Sequence, residues 1–344
     1  MFAMQPTSAS PPPLIGQSPA FLAMLDEVSR VAALDRPVLV IGERGTGKEL
    51  VAARLHFLSR RWDKPLIKLN CAALAESLLE SELFGHEAGA FTGAVRRRAG
   101  RFELAQEGSL FLDEIATCSA AVQEKLLRAV EYGEFERVGG SQTLASDVRV
   151  IGATNADLPA LAAAGCFRAD LLDRLAFEVV TLPPLCARPE DIPLLAEHFA
   201  MAMSRQLGRP WFAGFTAAAL ERLARHPWPG NVRELRNVVE RSVGRATDPE
   251  APLEVISLDP FASPWRRPPP AAAATAPPQP PPPESGDFAD QVAAFERGLL
   301  EAALAASRYS QRQAAAALGL GYHQFRRLLA KHGLGADPAE KRPR

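Results

Sequence analysis

A glycine-rich loop between a short apolar run and a helical segment leaves this chain few choices of fold. The run occupies residues 38–41, and the phosphate loop, as we name it, consists of Gly42, Glu43, Arg44, Gly45, Thr46, Gly47 and Lys48. Backbone N–H groups of such a loop wrap a β-phosphate, and the start of the following helix favours an anion. We predict a nucleotide site in which Lys48 reaches the β- and γ-phosphates, in preference to a glycine turn with a surface lysine.

Two acidic residues at the end of another apolar run complete the predicted nucleotide site. Glu49 stands where such loops usually carry Ser or Thr, so a direct Mg²⁺ ligand is missing from the loop. Asp113 and Glu114 follow the run 110–112, and ligands of parallel sheets bind at the carboxyl ends of strands. We expect Asp113 to hold Mg²⁺ through its waters and Glu114 to polarise the attacking water.

Apolar runs alternate with amphipathic helical segments as far as residue 182. This alternation predicts an α/β core, a parallel sheet with helices on both faces. After residue 184 only helices are evident, which indicates a small α-helical lid domain and, after a linker, a C-terminal all-α block. The predicted parts are a disordered tail (1–13), the α/β domain (14–184), the lid (185–260), a Pro/Ala-rich linker (261–287), a DNA-binding block (288–335) and a tail (336–344).

Composition argues against a secreted or membrane-spanning protein. The chain is 47% hydrophobic and 23% charged, its formal net charge is −1, and no apolar run approaches a membrane span. Its four cysteines are scattered, and none are paired at metal-ligand spacing. We predict a soluble cytoplasmic protein whose thiols are reduced and buried.

Two further sets of polar residues are candidates for sensing or completing ATP hydrolysis. Thr154 and Asn155 end a third apolar run, where a polar side chain can sense a γ-phosphate, although a turn-forming Asn fits nearly as well. Arg168 and Arg174 lie six residues apart. An arginine from a neighbouring subunit often stabilises the transition state of phosphoryl transfer, but surface ion pairs are the commoner explanation of this spacing.

A second glycine-bracketed segment lies between the two parts of the nucleotide site. The contact loop consists of Gly89, Ala90, Phe91, Thr92, Gly93 and Ala94. Glycine lets the backbone turn back, and an exposed Phe at the tip of a turn is unfavourable unless something binds it. The six residues alone fit a hairpin with a buried Phe91 equally well. The flanking motifs favour a contact loop that moves outward in response to nucleotide chemistry.

The C-terminal block predicts a helix-turn-helix. Ala315 permits a close helix crossing and Gly319 makes the turn. Residues 308–334 carry five basic residues and no acidic one, which indicates DNA binding rather than a hairpin used for dimerisation. The predicted DNA contacts, with residues 322–327 in the major groove, are Arg312, Gln313, Tyr322, His323, Gln324, Arg326 and Arg327. A preceding helix is expected to pair two subunits through an apolar face formed by Val292, Phe295, Leu299 and Leu300.

Taken together, these motifs resemble the AAA+ ATPase domain of bacterial enhancer-binding proteins, which activate RNA polymerase carrying the sigma-54 factor. The similarity spans residues 14–260. It rests on residues 42–49, on residues 82–86 running into the contact loop, on residues 111–114 and on residues 228–235, and the contact loop is highly specific to this family. Glu49 is also the family's residue. The last block resembles the Fis-type helix-turn-helix of the same proteins. One departure is residues 186–188, Cys-Ala-Arg, where the family usually has Arg-Glu-Arg, so contacts between domains are in question there.

The resemblance implies a role for each matching position. Asn70 is implied to hold Glu114 inactive until ATP is sensed. Thr154 and Asn155 are implied to form the first sensor, and Arg233 the second sensor, reaching from the lid. Arg168 and Arg174 are implied to act in trans, within a ring that is typically a hexamer. Phe91 and Thr92 are implied to contact sigma-54, supported by a second loop at residues 137–140.

Within the family, the resemblance is closest to activators of phage shock operons. The ATPase segment starts near residue 14, which leaves little room before it for a sensory domain. Such an activator is expected to be restrained by a trans-acting phage shock inhibitor protein. Residues 60–63 form a polar segment bearing Trp62, which either contacts that inhibitor or caps the edge of the sheet.

The sequence thus predicts an ATP- and Mg²⁺-dependent activator that binds upstream DNA, forms a ring and drives the contact loop against sigma-54 RNA polymerase. Two alternatives remain at this stage. A general AAA+ remodelling ATPase does not explain the contact loop. A DNA-binding repressor with a vestigial ATPase core does not explain the full set of catalytic positions.

Overall fold

A computed structural model describes residues 13–261, 265, 288–307 and 310–334 of the chain. The chain divides into two compact units, residues 1–262 and residues 263–344, and each is described by itself. The predicted tails, apart from residue 13, and most of the Pro/Ala-rich linker lie outside the described residues.

The first unit is built on a five-stranded parallel sheet in the order β2-β3-β6-β1-β7. Its strands are β1 (Val38–Ile41), β2 (Leu66–Asn70), β3 (Ser109–Asp113), β6 (Arg149–Thr154) and β7 (Glu178–Thr181). Ile41 pairs with Thr154, and Asn70 pairs with Asp113. Because the strands are parallel, the residues that follow them meet at one edge of the sheet, which is where the nucleotide motifs were predicted.

Both faces of this sheet are covered by helices. Along β3, Leu110 and Leu112 belong to one apolar core, whereas Phe111 belongs to the other. Side chains of a strand alternate between faces, so an uninterrupted apolar run requires burial on both sides. The helices are α1 (Pro19–Ala32), α2 (Lys48–Phe57), α3 (Glu76–Phe84), α4 (Arg101–Leu104), α5 (Ala120–Glu131), α6 (Leu158–Ala163) and α7 (Ala169–Leu175). The predicted parallel sheet with helices on both faces is confirmed.

A short antiparallel hairpin is an addition that the sequence did not predict. It pairs β4 (Glu134–Glu136) with β5 (Thr143–Ala145). Phe135 anchors the hairpin, because its ring lies 6.1 Å from Phe84 and 5.7 Å from Phe102 between ring centroids. Strands of three residues carry too few side chains to show an alternating pattern.

The helical lid follows the sheet in the chain. It contains α8 (Asp191–Gln206), α9 (Ala217–Arg225) and α10 (Asn231–Arg245). Trp228, 1% exposed, lies in its apolar core and donates from Nε1 to the carbonyl oxygen of Leu223 at 2.8 Å. A buried indole needs such an acceptor, so this hydrogen bond fixes the orientation of the Trp228 ring in the core of the lid.

The second unit contains three helices, α11 (Phe288–Ala306), α12 (Gln311–Ala317) and α13 (Tyr322–Lys331). Ala315 is buried beneath the crossing, and Gly319 has a φ of 66°, as a tight turn requires. The expectation for α11 needs one correction. Leu300 is 3% exposed and packs into the core of this unit, whereas the outward apolar face consists of Val292, Phe295 and Leu299.

The cysteine prediction was half right. All four cysteines are free, but burial applies only to Cys71 and Cys118, whereas Cys166 and Cys186 are exposed. Cys166 follows α6 and Cys186 lies in a short 3₁₀ helix (Leu185–Ala187), and neither position carries a sequence sign of exposure. Within the described ranges, no helix is both long and apolar enough to cross a membrane.

Candidate nucleotide site, contact loop and DNA-binding surface

The phosphate loop lies between the end of β1 and the start of α2. Gly47 precedes α2 with a φ of 104°, and Gly45 has a φ of 80°. A side chain at Gly45 would also collide with the lid, because its Cβ would lie 2.3 Å from the carbonyl oxygen of Gly230. Glycine at position 45 therefore serves both the turn of the loop and the close approach of the lid.

Lys48 begins α2 and points back across the phosphate loop. Its Nζ donates to the carbonyl oxygens of Gly42 at 2.9 Å and Glu43 at 3.2 Å. Burial lowers the pKa of the Lys48 ammonium, and the nearby carboxylates of Glu114 and Asp113 oppose this shift. A largely buried cation facing two carboxylates at the mouth of the loop suits a polyphosphate with its metal.

The carboxyl ends of β2 and β3, which we call the acidic edge, bring Asn70, Asp113 and Glu114 together. One contact there differs from the expectation. Glu114 was expected to be held by Asn70, but the Asn70 amide donates to Asp113 Oδ2 at 3.2 Å. Glu114 instead faces Arg44, with 4.0 Å between its Oε1 and the arginine Nε. Glu114 has a φ of 53°, a left-handed conformation that non-glycine residues adopt at a cost and that is common at functional sites.

The strand next to β1 brings the predicted first sensor to the same edge. Thr154 is fully buried, and its Oγ1 accepts from the backbone N–H of Ala156 at 3.0 Å, which turns the chain after β6. Asn155 is exposed beside it. The carbonyl oxygen of Thr154 accepts from Gly42 N–H at 3.2 Å, which ties the sensor strand to the phosphate loop.

The lid contacts the phosphate loop directly. The backbone N–H of Arg233 donates to Gly45 O at 3.3 Å, and the Arg233 side chain is exposed. Asn231 and Arg188 also reach the loop, and sequence reasoning assigned neither of them a role. Contacts that join positions more than 140 residues apart leave no local pattern in a sequence, and the departure at residues 186–188 was the one available sign for Arg188.

The two predicted arginines form ion pairs with carboxylates outside the phosphate loop of their own chain. Arg168 pairs with Asp170 at 2.6 Å, and Arg174 pairs with Glu131 at 2.5 Å. Their side chains are 41% and 55% exposed. Both guanidinium groups are therefore surface cations that another subunit can approach.

The contact loop projects from the end of α3. Gly89 N–H donates to Ala94 O at 2.8 Å and closes the loop, and Ala94 is buried at its base. Phe91 is 42% exposed and packs edge-on against His86, with 5.0 Å between ring centroids. Thr92 is exposed at the tip. The alternative of a core-packed Phe91 is therefore wrong.

A second segment, the support loop (residues 137–140), holds the base of the contact loop. Val138 N–H donates to Gly85 O at 2.9 Å, and Glu87 N–H donates to Val138 O at 3.1 Å. Gly139 touches the contact loop so closely that a Cβ there would lie 2.7 Å from the Ala90 Cβ. The buried Arg137 guanidinium binds Glu87 and Glu103 and so fixes both loops.

The predicted DNA-contacting residues lie on α12 and α13, and each is exposed on the surface of the second unit. Phe325 and Leu329 anchor α13 in the core. Arg312 lies 5.8 Å from the Tyr322 ring centroid, which joins α12 and α13 on that surface. The seven exposed side chains are Arg312, Gln313, Tyr322, His323, Gln324, Arg326 and Arg327.

Trp62 lies on the surface of the first unit. Its side chain is 61% exposed, so it does not cap the edge of the sheet. Its neighbour Arg61 fixes the turn, because the Arg61 guanidinium bridges Asp35 and Asp147. A large exposed indole on a rigid turn is an unusual use of apolar surface.

The chain matches three protein families in order along its length. Residues 14–181 match the sigma-54 interaction domain, residues 187–264 match the AAA+ ATPase lid domain, and residues 291–332 match the Fis family of bacterial regulatory proteins. These matches agree with the sheet, the lid and the C-terminal helices.

Two of the similar proteins are transcriptional regulators by name. The chain is 58% identical over 319 residues to the Psp operon transcriptional activator of Escherichia coli K12, covering 93% of this chain and 97% of that protein. It is 51% identical over 245 residues to the Nif-specific regulatory protein of Azotobacter vinelandii, covering 71% of this chain and 47% of that protein, about half its length.

A solved structure of a related protein is also similar to this chain. NtrX from Brucella abortus in complex with ATP is 31% identical, with a TM-score of 0.67 over 93% of this chain and 70% of that chain. The chain belongs to the AAA+ family of sigma-54-dependent transcriptional activators.

Proposed function

We propose that this protein uses ATP hydrolysis to open promoters held closed by sigma-54 RNA polymerase. It binds upstream activating DNA through its C-terminal helices, assembles into a ring, typically a hexamer, and remodels the closed complex through the contact loop. Its similarity to the Psp operon activator supports a phage shock operon as its target.

The nucleotide site supports ATP hydrolysis with Mg²⁺. No group of three or more candidate metal ligands occurs among the described residues, so the metal would be held chiefly by phosphate oxygens and water. Asp113, at the end of β3, is placed to hold those waters, and its remaining contacts are with Asn70 and the Glu114 backbone. When bound, Mg²⁺ supplies charge neutralisation at the phosphates, while Glu114 accepts the proton of the attacking water.

The exposure of the two arginines supports a ring. Arg168 and Arg174 bind Asp170 and Glu131 rather than their own phosphate loop, and their exposed side chains are accessible to a neighbouring subunit. An arginine supplied in trans stabilises the charge of the transferring phosphoryl group, so each subunit would complete the site of the next. Thr154, Asn155 and Arg233 would report the presence of the γ-phosphate from the sheet and the lid.

The observation that carries the proposal is the exposed tip of the contact loop above a rigid base. Phe91 and Thr92 are exposed, whereas Ala94 and Arg137 beneath them are buried. Asn70 binds Asp113, and α3 connects Asn70 along the chain to this base. A change at the acidic edge is thus connected by one short helix to an exposed surface at the tip of the contact loop.

The C-terminal surface supports binding to upstream DNA. Five of its seven exposed side chains, those of residues 322–327 apart from Phe325, lie on α13, the second helix of the pair, which is the one that enters the major groove in this motif. A DNA-binding activator of this kind would act in the cytoplasm, where the bacterial chromosome lies.

Trp62 supports control by an inhibitor acting in trans. We expect Trp62→Ala to retain ATP turnover but to lose inhibition by the phage shock inhibitor protein. Leu58→Ala, which removes another exposed apolar side chain from the same turn, is the control. Unchanged inhibition of Trp62→Ala would remove this surface from the proposal.

The experiment that tests the proposed function is capture of sigma-54 in the presence of a transition-state nucleotide analogue. Wild type should form a stable complex, and Thr92→Ala should not, although both hydrolyse ATP. Val95→Ala, which alters a 90% exposed side chain next to the contact loop, should behave as wild type. Capture by neither wild type nor control, with ATP turnover intact, would indicate a remodeller of another target.

A further inference from the structure

The lid holds the phosphate loop by its backbone carbonyl groups. The Asn231 amide Nδ2 donates to Arg44 O at 3.2 Å, and Arg233 N–H donates to the next carbonyl oxygen, that of Gly45, at 3.3 Å. A peptide plane is rigid, so holding its C=O fixes the direction of the N–H on its opposite side. The lid therefore sets the orientation of the N–H groups that a phosphate loop offers to an anion.

Asn231 occupies a position that this role explains. It is fully buried and has a φ of 52°, a conformation that only a few non-glycine residues adopt readily, Asn among them. Its side chain uses both ends, because Oδ1 accepts from Leu185 N–H at 2.7 Å while Nδ2 faces the loop. The amide thus bridges the junction between sheet and lid to the phosphate loop.

The same amide also restrains an acidic side chain within the phosphate loop. Asn231 Nδ2 donates to Glu43 Oε2 at 2.8 Å. A free carboxylate in this loop would repel a polyphosphate, since like charges at close range disfavour one another. Holding Glu43 on the lid side keeps that charge turned away from the mouth of the loop.

A third contact points in the same direction. Arg188, which is 3% exposed, lies 3.5 Å through Nη2 from Thr46 O, the next carbonyl along the loop. Its charge is balanced by the fully buried Asp191, which also accepts from Ser18 at the start of α1. Three successive loop carbonyls, those of residues 44 to 46, therefore face donors from the lid side.

We propose that Asn231 is a positioning residue for ATP binding, and that it fixes the phosphate loop in its binding conformation from the lid. The inference rests on the proposed nucleotide site at residues 42–49 and deepens it. Docking of the lid and binding of phosphate are then coupled, because the phosphate loop is ordered only while the Asn231 amide holds it.

The test measures ATP dissociation constants of the full chain by calorimetry. Asn231→Asp keeps the shape and the acceptor for Leu185, loses the donor to the loop, and places a second carboxylate beside Glu43. We expect the dissociation constant to rise by about tenfold or more, which is the scale of removing one hydrogen bond to a charged group. Glu43→Gln in the double variant restores a donor–acceptor pair and should recover about threefold or more of that affinity.

Three further variants keep the outcomes distinct. Asn237→Asp makes the same exchange at an exposed position of α10 and should bind as wild type. Asn231→Gly suits the positive φ, removes the amide and should also weaken binding. Lys48→Ala reports on the nucleotide site itself, and wild-type affinity in this variant would overturn that site.

Two results would overturn the positioning role while leaving the site intact. One is wild-type affinity of Asn231→Asp when Lys48→Ala has lost binding. The other is a double variant that binds no more tightly than Asn231→Asp, because the loss of affinity would then not depend on the contact between residues 231 and 43. Circular dichroism at the assay temperature establishes that each variant compared is folded.

Discussion

Removing the Arg137 guanidinium should destabilise the first unit and release the base of the contact loop. Arg137 is 3% exposed in its side chain and makes three hydrogen bonds, two to Glu103 at 2.9 and 2.5 Å and one to Glu87 at 2.8 Å. Arg137→Met keeps most of the apolar stem and deletes all three. Glu103 would then keep only its longer ion pair with Arg97, at 3.9 Å, and Glu87 would lose its bond to Arg137.

The structure sets the size of the effect. Removing one partner of a fully buried ion pair costs about 3–5 kcal/mol, because the remaining charge stays desolvated. Here the carboxylates of Glu103 and Glu87 are 21% and 33% exposed, so water compensates part of the loss. We expect the free energy of unfolding to fall by about 2–3 kcal/mol.

Urea unfolding followed by circular dichroism measures this change. Arg98→Met is the matched control, because Arg98 also pairs with a glutamate at 2.8 Å but its side chain is 64% exposed. That control should lose less than about 1 kcal/mol. Equal losses for the two variants would refute the view that Arg137 is the buried anchor of both loops.

Acid should narrow the difference in stability between wild type and Arg137→Met. Burial tends to raise the pKa of Glu103, but the hydrogen bonds and charge of Arg137 prevail and hold that pKa below its ordinary value of 4.5. A lowered carboxyl pKa stabilises the fold above its ordinary value, and the stabilisation is lost as pH falls through the folded value. The gap between the two proteins should therefore narrow below about pH 4.

Three smaller predictions concern the thiols and the second unit. A maleimide should label two of the four thiols quickly in the folded protein, sparing Cys71 and Cys118, because contact between these two and burial raise the pKa of Cys71; rapid labelling of all four would contradict the burial. Arg326→Ala should weaken binding to upstream DNA by about 1–3 kcal/mol in a titration at fixed salt, with ATP turnover unchanged. Ala315→Leu should destabilise the C-terminal unit by about 1–3 kcal/mol, because this residue is 2% exposed at the helix crossing, whereas the exposed Ala316→Leu should not.

The sequence was sufficient for the sheet and for the location of the nucleotide motifs. Strand β3 is a run of apolar residues that ends in Asp113 and Glu114, and such a run is typical of a strand buried on both faces, as in a parallel sheet. The phosphate loop is recognisable by glycines whose conformations few other residues adopt. These signals are local, because each lies within a short stretch of chain.

Contacts between distant segments were beyond sequence reasoning. Asn231 belongs to a recognised run, but its bonds to Glu43 and Arg44 join segments that lie far apart in the chain. The resemblance implies that Asn70 holds Glu114, yet its amide binds Asp113, its partner in the strand register. Leu300 was assigned to an outer face because helical periodicity alone does not tell which apolar stripe a core will bury.

The measurement that tests the central claim most directly is promoter opening, detected by permanganate reactivity of unpaired thymines, with sigma-54 RNA polymerase, ATP and upstream DNA. Wild type and Val95→Ala should open the promoter. Thr92→Ala should hydrolyse ATP at a comparable rate and leave the promoter closed. Opening by Thr92→Ala to the level of wild type would contradict the claim that the contact loop delivers the work of ATP hydrolysis.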